Sequence, residues 1–233
     1  MPAAAPALDR PALPTRWGRI ALFAVPFAAL SLVQAVELRV VSFEAFETDG
    51  PSMEPTLLNG DRFLVDKGAY GLTLPLDEEA IDHWADPAPG DVVVLRSPAD
   101  GVDIIKRVIG VAGDRIEIRD DVVYRNGEAL SRGSPQPCTE ADVSEPEERD
   151  EDCELVEERI GDRRWRTMHS RTSPSESMPE RVVPEGTVFV LGDHRDRSND
   201  SRNPRIGFVD VRRVRGPAMF VYWSDHHRTG SSL

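Results

Sequence analysis

Apolar and polar positions follow two different patterns along the chain. From Ile20 to Val36 ("IALFAVPFAALSLVQAV") no charged residue occurs, and Pro26, Ser31 and Gln34 are the interruptions. As a helix this run would span about 26 Å, a little less than the ~30 Å hydrocarbon layer of a bilayer, with Trp17 and Arg19 at the interface. The pattern predicts a single-pass transmembrane anchor over 16–39. Arg10, Arg16 and Arg19 precede the run, whereas Glu37 and Arg39 follow and cancel. The charge asymmetry keeps the N-terminus in the cytoplasm and puts the remainder on the periplasmic or extracellular side of the plasma membrane. A cleaved secretory signal is the alternative, since "VQA" at Val33–Ala35 has the small residues of a cleavage site. Residues 1–15, rich in Ala and Pro without a period, are expected to form a disordered tail.

Beyond Phe43 the period shortens to two. "DRFLVDK", "DVVVLRS", "VDIIKRVIG", "DRIEIRD", "DVVYRNGEAL", "TVFVLGD" and "AMFVYWS" are short runs rich in β-branched and aromatic residues, separated by Gly, Pro and Asp. Such runs predict strands, and Asn126-Gly127 predicts a hairpin turn. The fold class expected is mainly β: the anchor, then a largely antiparallel β core from 40–110 and 183–225. An inserted, smaller β-rich domain occupies 111–182, and 226–233 is expected to be a disordered tail.

The insertion contains the densest run of acid. Thr139 to Glu158 carries 11 Asp or Glu against the single Arg149, the composition of a solvated loop. The whole chain of 233 residues has 28 basic and 41 acidic groups, a net charge of −13, which argues against nucleic-acid binding. Its two cysteines, Cys138 and Cys153, are too few for a disulfide scaffold and wrongly spaced for zinc. They suit one bridge closing the acidic loop in an oxidising compartment, with two free thiols as the alternative. No metal and no cofactor is expected.

Three places could carry chemistry. In "DIIKRVIG" strand alternation puts Lys106 on one face with Ile104 and Val108. If that face packs inward, desolvation lowers the lysine pKa and makes it a general base; otherwise Lys106 snorkels from a half-exposed strand. Ser52, in "TDGPSMEPTLLNGDRFLVDK", is either an ordinary turn serine or a nucleophile. No histidine completes a triad: His83, His169, His226 and His227 sit in loop-like contexts, and His194 alone lies in a dense polar cluster. That cluster, "LGDHRDRSNDSR" at Leu191–Arg202, is either a solvated loop or a buried network in which Asp200 pairs with Arg202 and Ser198 bonds a base.

Taken in order, "PSMEPTL" after an apolar span, "GDVVVL", "DIIKRVIGVAGD" and "GDHRDRSNDSR" before "GFV" resemble the successive boxes of the type I signal peptidase family. The resemblance covers Phe43–Asp114 and Val183–Ser224. It implies a membrane-bound serine endopeptidase that cuts signal-peptide-bearing preproteins after a small residue, with Ser52 as nucleophile and Lys106 as general base. It further implies that Ser198 orients the lysine, that Asp200 and Arg202 brace the site, and that Gly192 opens the last box. Where some members place an oxyanion-binding serine, this chain has Gly50, leaving the Ser52 amide and the Gly50 region as the oxyanion site. His194 and Arg197 stand where asparagine is common. A maturation peptidase dedicated to one conjugation or pilus substrate, and a catalytically silent bitopic β protein, are the alternatives.

Overall fold

The computed structural model describes residues 42–73, 77, 79–145 and 152–233. The expected tail over 1–15 and the span over 16–39 lie outside them. Among the described residues no helix is long and apolar enough to cross a membrane. Strands β1 (Phe43–Glu47), β2 (Arg62–Asp66), β3 (Gly71–Leu72), β4 (Asp82–His83), β5 (Val92–Arg96) and β6 (Asp103–Val111) come first. Next are β7 (Arg115–Arg119), β8 (Val122–Arg125), β9 (Glu128–Ala129), β10 (Ser131–Pro137), β11 (Cys153–Ile160), β12 (Arg163–Ser170) and β13 (Met178–Val182). The last are β14 (Thr187–Leu191), β15 (Val209–Asp210) and β16 (Val214–Trp223).

The main sheet has the order β1-β2-β16-β5-β6-β14-β15, and its neighbouring strands pair antiparallel. Strand β5 shows why "DVVVLRS" reads as a continuous apolar run. Val92 and Val94 pack on one side with Met53, Leu57, Phe63 and Val65. Val93 and Leu95 pack on the other with Tyr70, Val108, Val188 and Val190. A strand covered on both faces loses the polar half of its alternation.

Residues between β6 and β14 make two smaller sheets, β13-β7-β8-β9 and β10-β11-β12. Their apolar side chains Ile116, Ile118, Val123, Leu130 and Trp165 share one cluster with Ile109, Phe189 and Leu191 of the main sheet. Asn126 and Gly127 join β8 to β9 with φ of 55° and 83°, the left-handed pair that a tight two-residue hairpin requires.

Three expectations change. The acidic run is a loop only in part: Glu140–Asp142 form a 3-10 turn, and residues 153–158 belong to β11. There Cys153, Leu155 and Glu158 are buried, so the strand's burial is concealed by acid on its exposed positions. His83 and His169 lie in strands rather than loops. Residues 226–233 are not a free tail, because the Val221 amide donates to Ser231 O (2.9 Å), the Leu233 amide donates to Met219 O (3.2 Å), and Leu233 packs beside Phe63. The returning chain completes its backbone hydrogen bonds on β16.

Phe189, fully buried between the main sheet and the insertion, tests this packing. Phe189→Ala is expected to destabilise the protein by about 3–5 kcal/mol, read as a lower denaturant midpoint; an unchanged midpoint would contradict the shared core.

Candidate active site

Ser52 lies in a turn between β1 and β2. Met53, Leu57 and Leu58 are buried and anchor the turn to the core, which leaves Ser52 half-buried at its apex. Lys106 lies in β6 opposite Val93, with Ile104 and Val108 in the cluster around it. Lys106 is 3% exposed, and its amine donates to Ser52 Oγ at 2.8 Å and to Ile105 O at 2.7 Å. Burial pushes this amine down to about 8, against the upward pull of Asp200 and Asp193.

Both of those carboxylates are held by arginines. Asp200, 1% exposed, accepts from Arg202 Nε (2.8 Å) and Nη2 (2.9 Å) and from the Gly192 amide (3.0 Å). Asp193 accepts from Arg107 Nε (2.9 Å) and Nη2 (2.7 Å) and from the Thr56 hydroxyl. Arg107 also donates to Gly90 O and lies over the Trp165 ring. Lys106 therefore has carboxylates near it but none bonded to it.

Gly192 fits where no other residue would. A Cβ there would meet Ser198 Oγ and lie 2.5 Å from Ser52 O. Ser198 follows the 3-10 turn Arg195–Arg197. Its hydroxyl is buried without a hydrogen-bond partner among the described residues, so the expected bond to Lys106 is not made. Gly50 has φ +92°, but its amide donates to Asn59 Oδ1 (2.9 Å) and is not free to bind an oxyanion. No acceptor among the described residues engages the Ser52 amide. Cys138 and Cys153 form a disulfide, with Cα atoms 5.5 Å apart. No described group of His, Cys, Asp or Glu could hold a metal ion.

Residues 16–223 match the family model described as signal peptidase, peptidase S26. The chain belongs to that family. It is 34% identical over 201 residues to a signal peptidase I of Pseudomonas aeruginosa, covering 80% of this chain and 67% of the relative. To a signal peptidase I of Bacillus licheniformis it is 31% identical over 196 residues, covering 83% and 84%. A solved signal peptidase I of Enterococcus faecalis V583 is similar at TM-score 0.36 and 28% identity, covering 57% of this chain and 97% of that one. As a signal peptidase family member, the chain is a serine endopeptidase.

Several residues that shape the site carry no motif in the sequence. Arg107, next to Lys106 but on the opposite face, is a cation inside an aliphatic run, and that oddity was the available signal. Glu54 is 3% exposed and accepts from the Ser144 amide (2.8 Å) and hydroxyl, with His194 Nδ1 3.6 Å from its other oxygen. Burial raises the Glu54 carboxyl, but His194 and Ser144 outweigh it and hold the group below its usual range. The His194 amide donates to Ser52 O (3.2 Å). Arg195 pairs with buried Glu158 at 2.6 Å. No sequence pattern links these residues.

Gly192→Ala tests the crowding at Ser52. Moving a reacting group by about 1 Å costs on the order of 10²-fold in rate, so peptide cleavage is expected to fall by about that factor while the far-ultraviolet spectrum is unchanged. Full activity would refute the close approach.

Proposed function

We propose that this chain is a membrane-bound signal peptidase I that cleaves exported preproteins after a small residue, with Ser52 and Lys106 as its catalytic dyad. The observation that carries the reading is the 2.8 Å contact between a buried lysine amine and the hydroxyl of Ser52. An unactivated serine is a weak nucleophile, and an amine lowered to about 8 can accept its proton near neutral pH. Neutral Lys106 takes the Ser52 proton as Oγ attacks the scissile carbonyl. It returns that proton to the leaving amine, giving an acyl-enzyme. Lys106 then takes a proton from water as that water attacks the acyl carbonyl, and gives it to Ser52 Oγ as the ester bond breaks, which frees the signal peptide and regenerates the serine. The Ser52 amide, without an internal acceptor among the described residues, is the donor for the oxyanion. Asp200, Arg202 and Gly192 brace the site, and Ser198 stands beside it.

Substrate binding follows from the sheet. Strand β14 pairs with β6 only from Arg107 to Val111, so Asp103–Lys106 have an unpaired edge on that side among the described residues. An extended peptide adding there would bring its scissile bond towards Lys106. Leu72, Ile81 and Trp84, near the β3–β4 pair, are exposed and support contact with the bilayer in which the substrate is tethered. The anchor over 16–39 and a periplasmic or extracellular site complete the proposal.

Two experiments on the full chain in detergent, offered a preprotein, test the dyad. Ser52→Ala and Lys106→Ala are each expected to lower cleavage by about 10³-fold or more; normal rates in either variant would sink the assignment. In wild type, protonation of Lys106 removes the base, so kcat/KM is expected to fall about tenfold per pH unit below about 8. A profile flat from pH 8 down to pH ~5 would reject Lys106 as the base.

A further inference from the structure

The flank of the Ser52 turn that faces the insertion is not closed by packing. A cavity of about 400 Å³ lies there, lined among others by Pro51, Glu54, Ser144, His169 and His194. Hydrogen bonds cross beside it instead, and they converge on Ser144. The Asn59 amide donates to Ser144 Oγ (2.6 Å), and Asn59 Oδ1 accepts from the Gly50 amide (2.9 Å). Ser144 in turn donates its amide (2.8 Å) and its hydroxyl to Glu54 Oε1. One residue thus grips both arms of the turn: the Gly50 arm through Asn59, and the Glu54 arm directly. Glu54 Oε2 faces His194 Nδ1 at 3.6 Å, and the His194 amide donates to the carbonyl of Ser52 itself (3.2 Å).

Ser144 lies on the segment between the two disulfide-bonded cysteines, which restricts the segment that carries it. The 3-10 turn Glu140–Asp142 precedes it, capped where Asp142 accepts from the Thr139 amide (2.8 Å) and hydroxyl (2.6 Å). The hydroxyl works in both directions, accepting from the Asn59 amide and donating its own hydrogen to Glu54. Removing it takes an acceptor from the Asn59 amide and a donor from buried Glu54.

We propose that Ser144 is a positioning residue for Ser52, supplied to the nucleophile turn by the disulfide-closed acidic segment and acting through Asn59, Glu54 and His194. The inference rests on the reading of Ser52 as nucleophile. Ser144 bonds to Asn59 and Glu54 and not to Ser52 or Lys106; it sets where Ser52 Oγ stands relative to Lys106. Its loss should therefore appear in the chemical step and not in substrate affinity, and it should leave the environment of the Lys106 amine unchanged.

The test uses the full chain in detergent with a preprotein substrate. Ser144→Ala is expected to lower kcat about tenfold, with KM within about twofold and the acidic limb of the pH–rate profile at the same pH as in wild type. Ser144→Thr, which restores the hydroxyl, is expected to recover kcat to within about twofold. An unaltered kcat in Ser144→Ala, a loss confined to KM, or no recovery with threonine would overturn the proposal. So would an acidic limb moved towards the ordinary lysine range, because that would mean the site had opened to water. Ser52→Ala is run alongside; if it cleaves normally, the nucleophile assignment itself falls, whatever Ser144 does.

Discussion

The site depends on keeping one amine dry without giving it a counter-ion. A buried lysine beside two carboxylates would ordinarily pair with one of them and stay charged. Here Asp193 is held by Arg107 and Asp200 by Arg202, each through two guanidinium nitrogens. Guanidinium groups match carboxylates in a planar fork and do not give up their protons, so both acids are neutralised at short range by groups that cannot act as bases. What is left for Lys106 is a hydroxyl and a carbonyl. In the proposed mechanism this is the difference between a structural cation and a general base.

The sheet supplies the geometry that this requires. Lys106 and Arg107 are consecutive in β6 and face opposite sides, so one strand sends an amine to the Ser52 turn and a guanidinium to Asp193. Val93 opposite Lys106, with Ile104 and Val108 two positions away on either side, keeps water from the amine's stem. The end of β14 then delivers Gly192 and Asp193 together, and the lack of a side chain at Gly192 lets that loop close on the carbonyl of Ser52. Burial, register and a missing Cβ act at one point.

How much of this the sequence discloses depends on whether a contact is encoded by period or by proximity. Strands covered on both faces, such as β5, announce themselves as apolar runs, and the Lys106 face follows from alternation. Strands β11 and β12 do not, because their exposed positions are acidic and basic and pair across the ladder, as Glu157 does opposite Arg166. Buried Glu158 is indistinguishable in sequence from its solvated neighbours until Arg195 is seen beside it. The last box was legible as a network, with Asp200 and Arg202 paired, but not in detail: the Ser198 hydroxyl does not reach the lysine, and the Gly50 amide is taken by Asn59. The Glu54–Ser144 contact spans 90 residues and carries no local signal.

The chain that returns along β16 also matters to the site. Arg228 donates to Thr56 O across 172 residues, His226 Nε2 lies 3.2 Å from Asn59 O, and Thr56 reaches Asp193 across 137. Contacts of such high sequence separation close late, because the entropy of the intervening loop must be overcome first. The turn bearing Ser52 is made well before the residues that support it. The turn can therefore be fixed in place only once β16 and the chain beyond it have docked against it.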